Sequence, residues 1–210
     1  MKYINNIRGA LSAEGFPVFS ISDIRVMLSS QGAKKEYAYT LLHNLIARKE
    51  VIRITRGAYT FHKEIRVVGF AFSPFYYGLE DALSIRGIWE QGANPIIITR
   101  RKIRNGVRKF IGRNYVLHKI DKKHFFGHEL FKIGGIWVPV SDIEKTFIDL
   151  VYFRHYIRDD VLDYMRRNVK VEKLNGYLKT YDERFSAKVL RLISGLGPDG
   201  KSPTSRTNKA

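Results

Sequence analysis

The chain has 210 residues, with 37 lysines and arginines against 20 aspartates and glutamates, and a formal net charge of +17. That excess points to a polyanionic partner, nucleic acid first and an acidic protein surface second. The absence of cysteine excludes disulfides and thiolate metal sites.

Apolar residues make up 44% of the chain, enough for the core of one large domain or two small ones. No apolar run approaches the roughly 20 residues that span a bilayer. Residues 1–15 lack the continuous apolar stretch of a signal peptide. The expectation is a cytoplasmic protein that makes no membrane contact.

In chain order, residues 4–13 read as a first helix with Ile4, Ile7 and Leu11 on one side, broken by Gly15 and Pro17. Ser22 is placed to cap a second helix starting at Asp23, in which Ile24, Met27 and Leu28 share a face. Gly32 ends it. A third helix is expected from Lys34 to Arg48, with Ala38, Leu41, Leu42, Leu45 and Ile46 as its buried stripe. Its other side carries Glu36, Thr40, His43 and Asn44, flanked by Tyr37 and Tyr39, with Lys34 and Lys35 at the start. Two β-rich runs, Val51–Ile54 and Ala58–Phe61, then surround the turn Thr55-Arg56-Gly57. Helix, turn, helix and hairpin in that order form the winged helix-turn-helix, a DNA-reading module. On that reading Lys34, Lys35 and Arg56 meet phosphates, while Tyr37, Tyr39, Thr40 and His43 reach base edges. A merely solvated helix face is the structural alternative.

Residues 63–66 form a charged connector, and the sequence places a domain boundary near residue 65: residues 1–64 as the winged module and 65–194 as a mixed α/β domain. Strands are expected at 67–72, 95–99, 113–120, 129–133 and 135–140, with Pro139 at an edge or a strand end. A helix at 77–89 carries Leu79, Ala82, Leu83 and Ile88 toward the core. Ser141 and Glu144 have capping-box spacing for a helix at 141–153, with Ile143, Phe147, Leu150 and Val151 as its stripe. Further helices follow at 158–168, 171–180 and 184–194. Residues 195–210, rich in Gly, Pro, Ser and Lys, read as a disordered tail. The fold class expected is α+β.

Residues 100–123 hold ten basic side chains and one acid, Asp121. Arg100, Arg101, Lys102, Arg104, Arg108, Lys109 and Arg113 begin this run. It is either a solvated hairpin loop or a second contact for a polyanion, DNA or an acidic protein surface.

The series YYGLEDALSIRGIWEQ, IIITRRK and GGIWVPVSDIEKTFIDLVYF resembles antitoxins of the AbiE type, described as predicted transcriptional regulators of viral defence systems. The resemblance runs over about residues 4 to 193. It rests on Ala82-Leu83 and Gly87, on Ile96 to Thr99, and on Ser141 followed by Glu144-Lys145-Thr146 and Asp149. The resemblance implies a repressor that binds inverted repeats in its own promoter, as a monomer or weak dimer. It also implies a C-terminal domain that counteracts a toxin of the nucleotidyltransferase class. Carried over by position, the DNA-facing set is Lys34, Lys35, Tyr37, Tyr39, Thr40, His43, Arg53 and Arg56. Glu144-Lys145-Thr146 then has a structural role in capping and packing its helix.

Three other functions are weighed beside this one. A standalone winged-helix regulator would need no toxin. A nuclease would use Asp142 and Glu144-Lys145, but those follow a capping serine into a helix, whereas metal-dependent nucleases hold carboxylates around an ion. His118, His124 and His128 invite a metal, but no acid has ligand spacing with them. No phosphate loop, nucleophile elbow or dinucleotide fingerprint is present. The sequence therefore predicts no catalysis, no cofactor and no metal.

Overall fold

The structure, a computed structural model, describes Gly9, residues 17–89 and residues 92–195. The helix expected at 4–13 and the tail expected from 195 onward lie outside the described residues, Gly9 and Gly195 apart. Helix α1 spans Ile21–Ser30. Its cap is Ser20 and not Ser22. The Ser20 hydroxyl accepts from the Asp23 N–H at 3.3 Å, and the Asp23 carboxylate accepts from the Ser20 N–H at 2.7 Å. Only Ser20 has an acid three residues on; Ser22 is followed at that distance by Arg25. Ile24 and Leu28 are buried, and Gly32 adopts φ +72° to release the chain.

Helix α2 spans Tyr37–Ala47, starting later than expected. Lys34 to Glu36 form a tight turn instead, with the Tyr37 N–H donating to Lys34 O at 3.1 Å. Ala38, Leu41, Leu42 and Leu45 are buried against α1, in one cluster with Phe19, Ile24, Leu28 and Val51. Ile46, expected in the buried stripe, is exposed instead. Strands β1 (Ile52–Thr55) and β2 (Ala58–Thr60) pair antiparallel, with a register shift between Arg53 and Thr55. Phe19 and Tyr59 exchange two backbone hydrogen bonds of 2.9 Å, which ties the hairpin to the start of α1.

The run expected to be a strand at 67–72 is a 3-10 helix, Ile65–Phe72. Apolar continuity alone does not separate a buried strand from a buried helical turn. Here the packing decides: the Phe75 ring fills the place where a Cβ on Gly69 would sit, 2.1 Å away. The Gly69 N–H donates to the Tyr77 hydroxyl at 3.2 Å. The strand comes after Pro74 instead, as β3, Phe75–Tyr77. Helix α3 is the shorter Leu79–Ile85.

Strands β4 (Ile96–Thr99), β5 (Gly106–Phe110), β6 (Arg113–Lys119), β7 (His128–Ile133) and β8 (Ile136–Ser141) complete the second segment. With β3 they form a six-stranded sheet in the order β5-β6-β4-β3-β8-β7. The pairs β4–β6 and β3–β8 are parallel and the others antiparallel. β5 was not expected from the sequence. Only Phe110 of its five residues is buried, so it lacks the apolar alternation of a strand. It is defined by its partner β6 and by the turn Ile111-Gly112, both at positive φ, the pattern of a two-residue hairpin. Pro139 lies inside β8 and pairs with Leu130; β8 is an interior strand between β3 and β7, so Pro139 is neither on an edge strand nor at a strand end, and it is accommodated where the pairing with β3 reaches only Val140.

One face of the sheet buries Phe75, Tyr77, Ile97, Tyr115, Leu117, Val138 and Val140 against the 3-10 helix. Ile54 of β1 belongs to this same cluster, so apolar contact crosses the expected boundary near residue 65. The opposite face carries Tyr76, Ile96 and Ile98 against helices α3, α4 (Ile143–Tyr152), α5 (Asp159–Asn168), α6 (Val171–Leu178) and α7 (Glu183–Ser194). The architecture is α+β. Among the described residues, no helix is long and apolar enough to cross a membrane.

α4 departs from its expected cap and stripe. Its N-cap is Asp142, which accepts from the Lys145 N–H at 2.7 Å. Ser141 ends β8, its hydroxyl 2.7 Å from that of Thr146. Glu144 does not fold back on the cap; it accepts from the Lys170 N–H at 2.9 Å and pairs with Lys173 at 3.0 Å. Every residue from Glu144 to Val151 is buried, so the helix is enclosed on all sides and has no single apolar stripe.

Candidate nucleic-acid interface

All eight residues expected to face DNA are exposed: Lys34, Lys35, Tyr37, Tyr39, Thr40, His43, Arg53 and Arg56. The 3.6-residue repeat explains this for α2. Its buried positions 38, 41, 42 and 45 leave Thr40, His43 and Asn44 on the opposite side. Tyr39, 59% exposed, lies under the Arg25 guanidinium, 4.9 Å from the ring centre. Arg53 donates to its neighbour Thr55 O at 3.3 Å. Arg56 stands at the hairpin tip. None of the four cations in this set forms an ion pair among the described residues.

The second set divides. β5 and β6 pair Arg108 with Tyr115 and Lys109 with Asn114, so the pleat sends Arg108 and Lys109 to opposite faces. Arg108 lies over the Phe72 ring at 5.4 Å. Arg101 follows β4, and its Nη1 donates to Ala71 O at 2.8 Å. Arg101 and Arg108 thereby line one cleft of about 390 Å³ together with Arg56 of the hairpin. Arg104 lines a different hollow, with Lys119, Asp121 and Tyr152. Arg100 points elsewhere, 5.9 Å from the Phe125 ring. Lys102, Lys109 and Arg113 are exposed. The basic run is thus several surfaces, and one of them joins the hairpin.

The residues singled out for a nuclease are engaged with one another. Asp142 accepts from the Tyr177 hydroxyl at 2.7 Å and meets Lys173 at 3.0 Å. Lys145 is fully buried and bonds Asp149, which also accepts from the Tyr76 hydroxyl at 2.7 Å. Burial lowers the Lys145 pKa, against the pull of Asp149, and raises that of Asp149. Sequence reasoning missed Tyr76, Tyr177 and Tyr181 as members of this network. Tyr181 accepts from Lys145 Nζ at 3.3 Å, and nothing in the residues around a tyrosine signals which distant group its hydroxyl will meet.

The three histidines do not converge. His118 packs 4.7 Å from the Phe153 ring, and burial, with His155 nearby, lowers its pKa. His124 stacks on Tyr181 at 3.9 Å, and His128 on Tyr76 at 5.4 Å. Among the described residues, no three His, Asp or Glu side chains are grouped to hold a metal ion. One histidine that the sequence did not mark, His155, meets Glu80 at 2.7 Å.

No protein-family model and no curated protein matches this chain. A solved structure does: "Crystal structure of RV2827C protein from Mycobacterium tuberculosis", with a TM-score of 0.60 at 11% sequence identity. The likeness covers 92% of this chain and 78% of that one, and at that identity it speaks for the fold alone.

Proposed function

We propose that this protein is a DNA-binding transcriptional repressor and antitoxin, with Ile21 to Thr60 serving as a winged helix-turn-helix. In this reading α2 enters the major groove, and Thr40 and His43 reach base edges there. Lys34, Lys35 and Arg56 hold phosphates on either side. The observation that carries it is the outer face of α2. Polar and aromatic side chains stand exposed there between two groups of cations that have no carboxylate partner among the described residues. Cations without intramolecular partners are available to a polyanion. The antitoxin half rests on the AbiE resemblance of the second segment. It names a nucleotidyltransferase-type toxin as the protein partner and the promoter's inverted repeats as the DNA.

The test is a titration of the full chain against a duplex from directly upstream of its gene, repeated over a salt series. Affinity is expected to fall with a log–log slope of about −0.9 per phosphate contacted. Arg56→Ala weakens binding on every sequence, whereas Thr40→Ala or His43→Ala removes the preference for the upstream duplex over a scrambled one, by about 1 to 3 kcal/mol. A salt-independent affinity, or no change of preference in either variant, overturns the reading. Growth rescue when the chain is co-expressed with the product of the adjacent gene tests the antitoxin role, and its absence leaves a standalone regulator.

A further inference from the structure

We infer that the cleft between the β1–β2 turn and the second segment seats a backbone phosphate of duplex DNA, held by Arg101 and Arg108 together with Arg56. This rests on the DNA-binding reading and extends it: the footprint continues from α2 past the hairpin tip onto the β4–β5 connection.

Three observations support it. First, the cleft, about 390 Å³, brings together arginines from two segments far apart in sequence. Among the described residues lining it the one carboxylate is Asp23, and that group is committed to the cap, accepting from the Ser20 N–H at 2.7 Å and the Ser20 hydroxyl at 2.8 Å. Second, two of the three guanidiniums are held in place without being neutralised. Arg101 is fixed by a carbonyl, Ala71 O, and its backbone N–H by the Thr99 hydroxyl at 3.1 Å. Arg108 is fixed by the Phe72 ring and by Arg104 O at 3.3 Å. Each keeps N–H donors for a planar, bidentate contact with an oxyanion.

Third, the pairing contrasts with that of the rest of the second segment. There six of the fourteen lysines and arginines meet carboxylates: Arg66, Arg86, Lys145, Arg158, Arg166 and Lys173. Among the described residues none of the ten cations between 100 and 123 does. The occupant is duplex DNA, and not an acidic protein, because one wall of the cleft is the hairpin tip itself. A strand whose phosphates meet Arg56 offers the next phosphates at the spacing of a few ångströms.

The experiment compares full-length wild type, Arg101→Gln/Arg108→Gln and the control Lys179→Gln/Lys188→Gln, which loses the same charge at two exposed positions away from the cleft. Each is titrated over a salt series against the upstream duplex and a scrambled duplex of equal length. The cleft variant is expected to lose about 0.9 of log–log slope for each phosphate contact removed, equally on both duplexes, while the control keeps the wild-type slope. A wild-type slope in the cleft variant, or an equal loss in the control, overturns the inference and leaves DNA binding by α2 standing. A salt-independent wild type fails the DNA reading first. Arg108→Gln alone leaves the Arg101–Ala71 bond intact and answers the same question should the double variant melt; its unchanged slope overturns the inference. So does an acidic peptide of poly-aspartate that binds wild type, fails on the cleft variant, and does so with the DNA slope unmoved.

Discussion

Glu80 and His155 form a pair that titrates. Glu80 belongs to the first turn of α3, and His155 follows α4, so the bond joins two helices packed on one sheet face. Burial pushes the Glu80 pKa up, but the His155 hydrogen bond and charge bring it below the usual carboxylate range. The Glu80 bond raises the pKa of His155, against burial. The depressed carboxylate contributes stability above its ordinary pKa and loses it as pH falls through the folded value. The raised imidazole contributes fully below its ordinary pKa and loses it as pH rises through the folded value. Both contributions are therefore complete between about pH 4.5 and pH 6.5, the two ordinary values. His155→Ala should cost about 1 to 2 kcal/mol in a urea melt at about pH 5.5 and less at about pH 8.5. An equal cost at the two values would show that the pair is held by packing alone.

At the scale of elements, the cap of α4 connects strand, helix and neighbour. Asp142 joins the end of β8 to the first turn of α4 and accepts from Tyr177 on α6. Replacing a capping Asp by Ala costs about 0.5 to 2 kcal/mol. A second readout separates the cap from the tyrosine bond. Burial and Asp142 together push the Tyr177 hydroxyl up to about 12. In Asp142→Ala its ultraviolet titration should move back toward the ordinary tyrosine value of about 10. A Tyr177 transition that stays where it was would mean that Asp142 does not govern it. Most elements of this half were legible as sequence. α5, α6 and α7 start within one residue of the expected positions. Their apolar residues recur at helical spacing between clear breaks. The elements that differ from expectation are those whose periodicity is mute: the apolar run of the 3-10 helix, the three-residue β3 that follows it, and the cationic β5.

For the whole molecule, the question is how firmly the N-terminal elements are fixed to the sheet. Ile54 sits in the cluster of Ile65, Val67 and Phe72, and the hairpin it belongs to also holds the start of α1 through Phe19 and Tyr59. Ile54→Ala should lower stability by about 2 to 4 kcal/mol, the range for a buried isoleucine. It should do so within one cooperative transition, because the cluster it leaves belongs to the sheet. Two resolved transitions, with only the first shifted, would show that the N-terminal elements melt on their own. The seam also sets the position of Arg56 relative to Arg101 and Arg108, so, if the proposed DNA-binding function holds, a loosened Ile54 should weaken that binding although Ile54 itself is buried.

The amino-acid sequence by itself determined the α+β content, most of the element order and the outer face of α2. Each of these follows from local spacing: which residues are apolar, and whether they recur every second position or every third and fourth. It also settled that the charge excess is concentrated, since ten of the cations fall between 100 and 123. Tertiary structure alone decided which apolar surface meets which. It made residues 65–72 a 3-10 helix around the Phe75 ring, recruited a cationic segment as a strand on β6, and enclosed Lys145 with Asp149. It also placed Arg56 across a cleft from Arg101 and Arg108. Periodicity records which side of an element is apolar but holds no information about the partner that side will find, and the cleft exists only where two such partners meet.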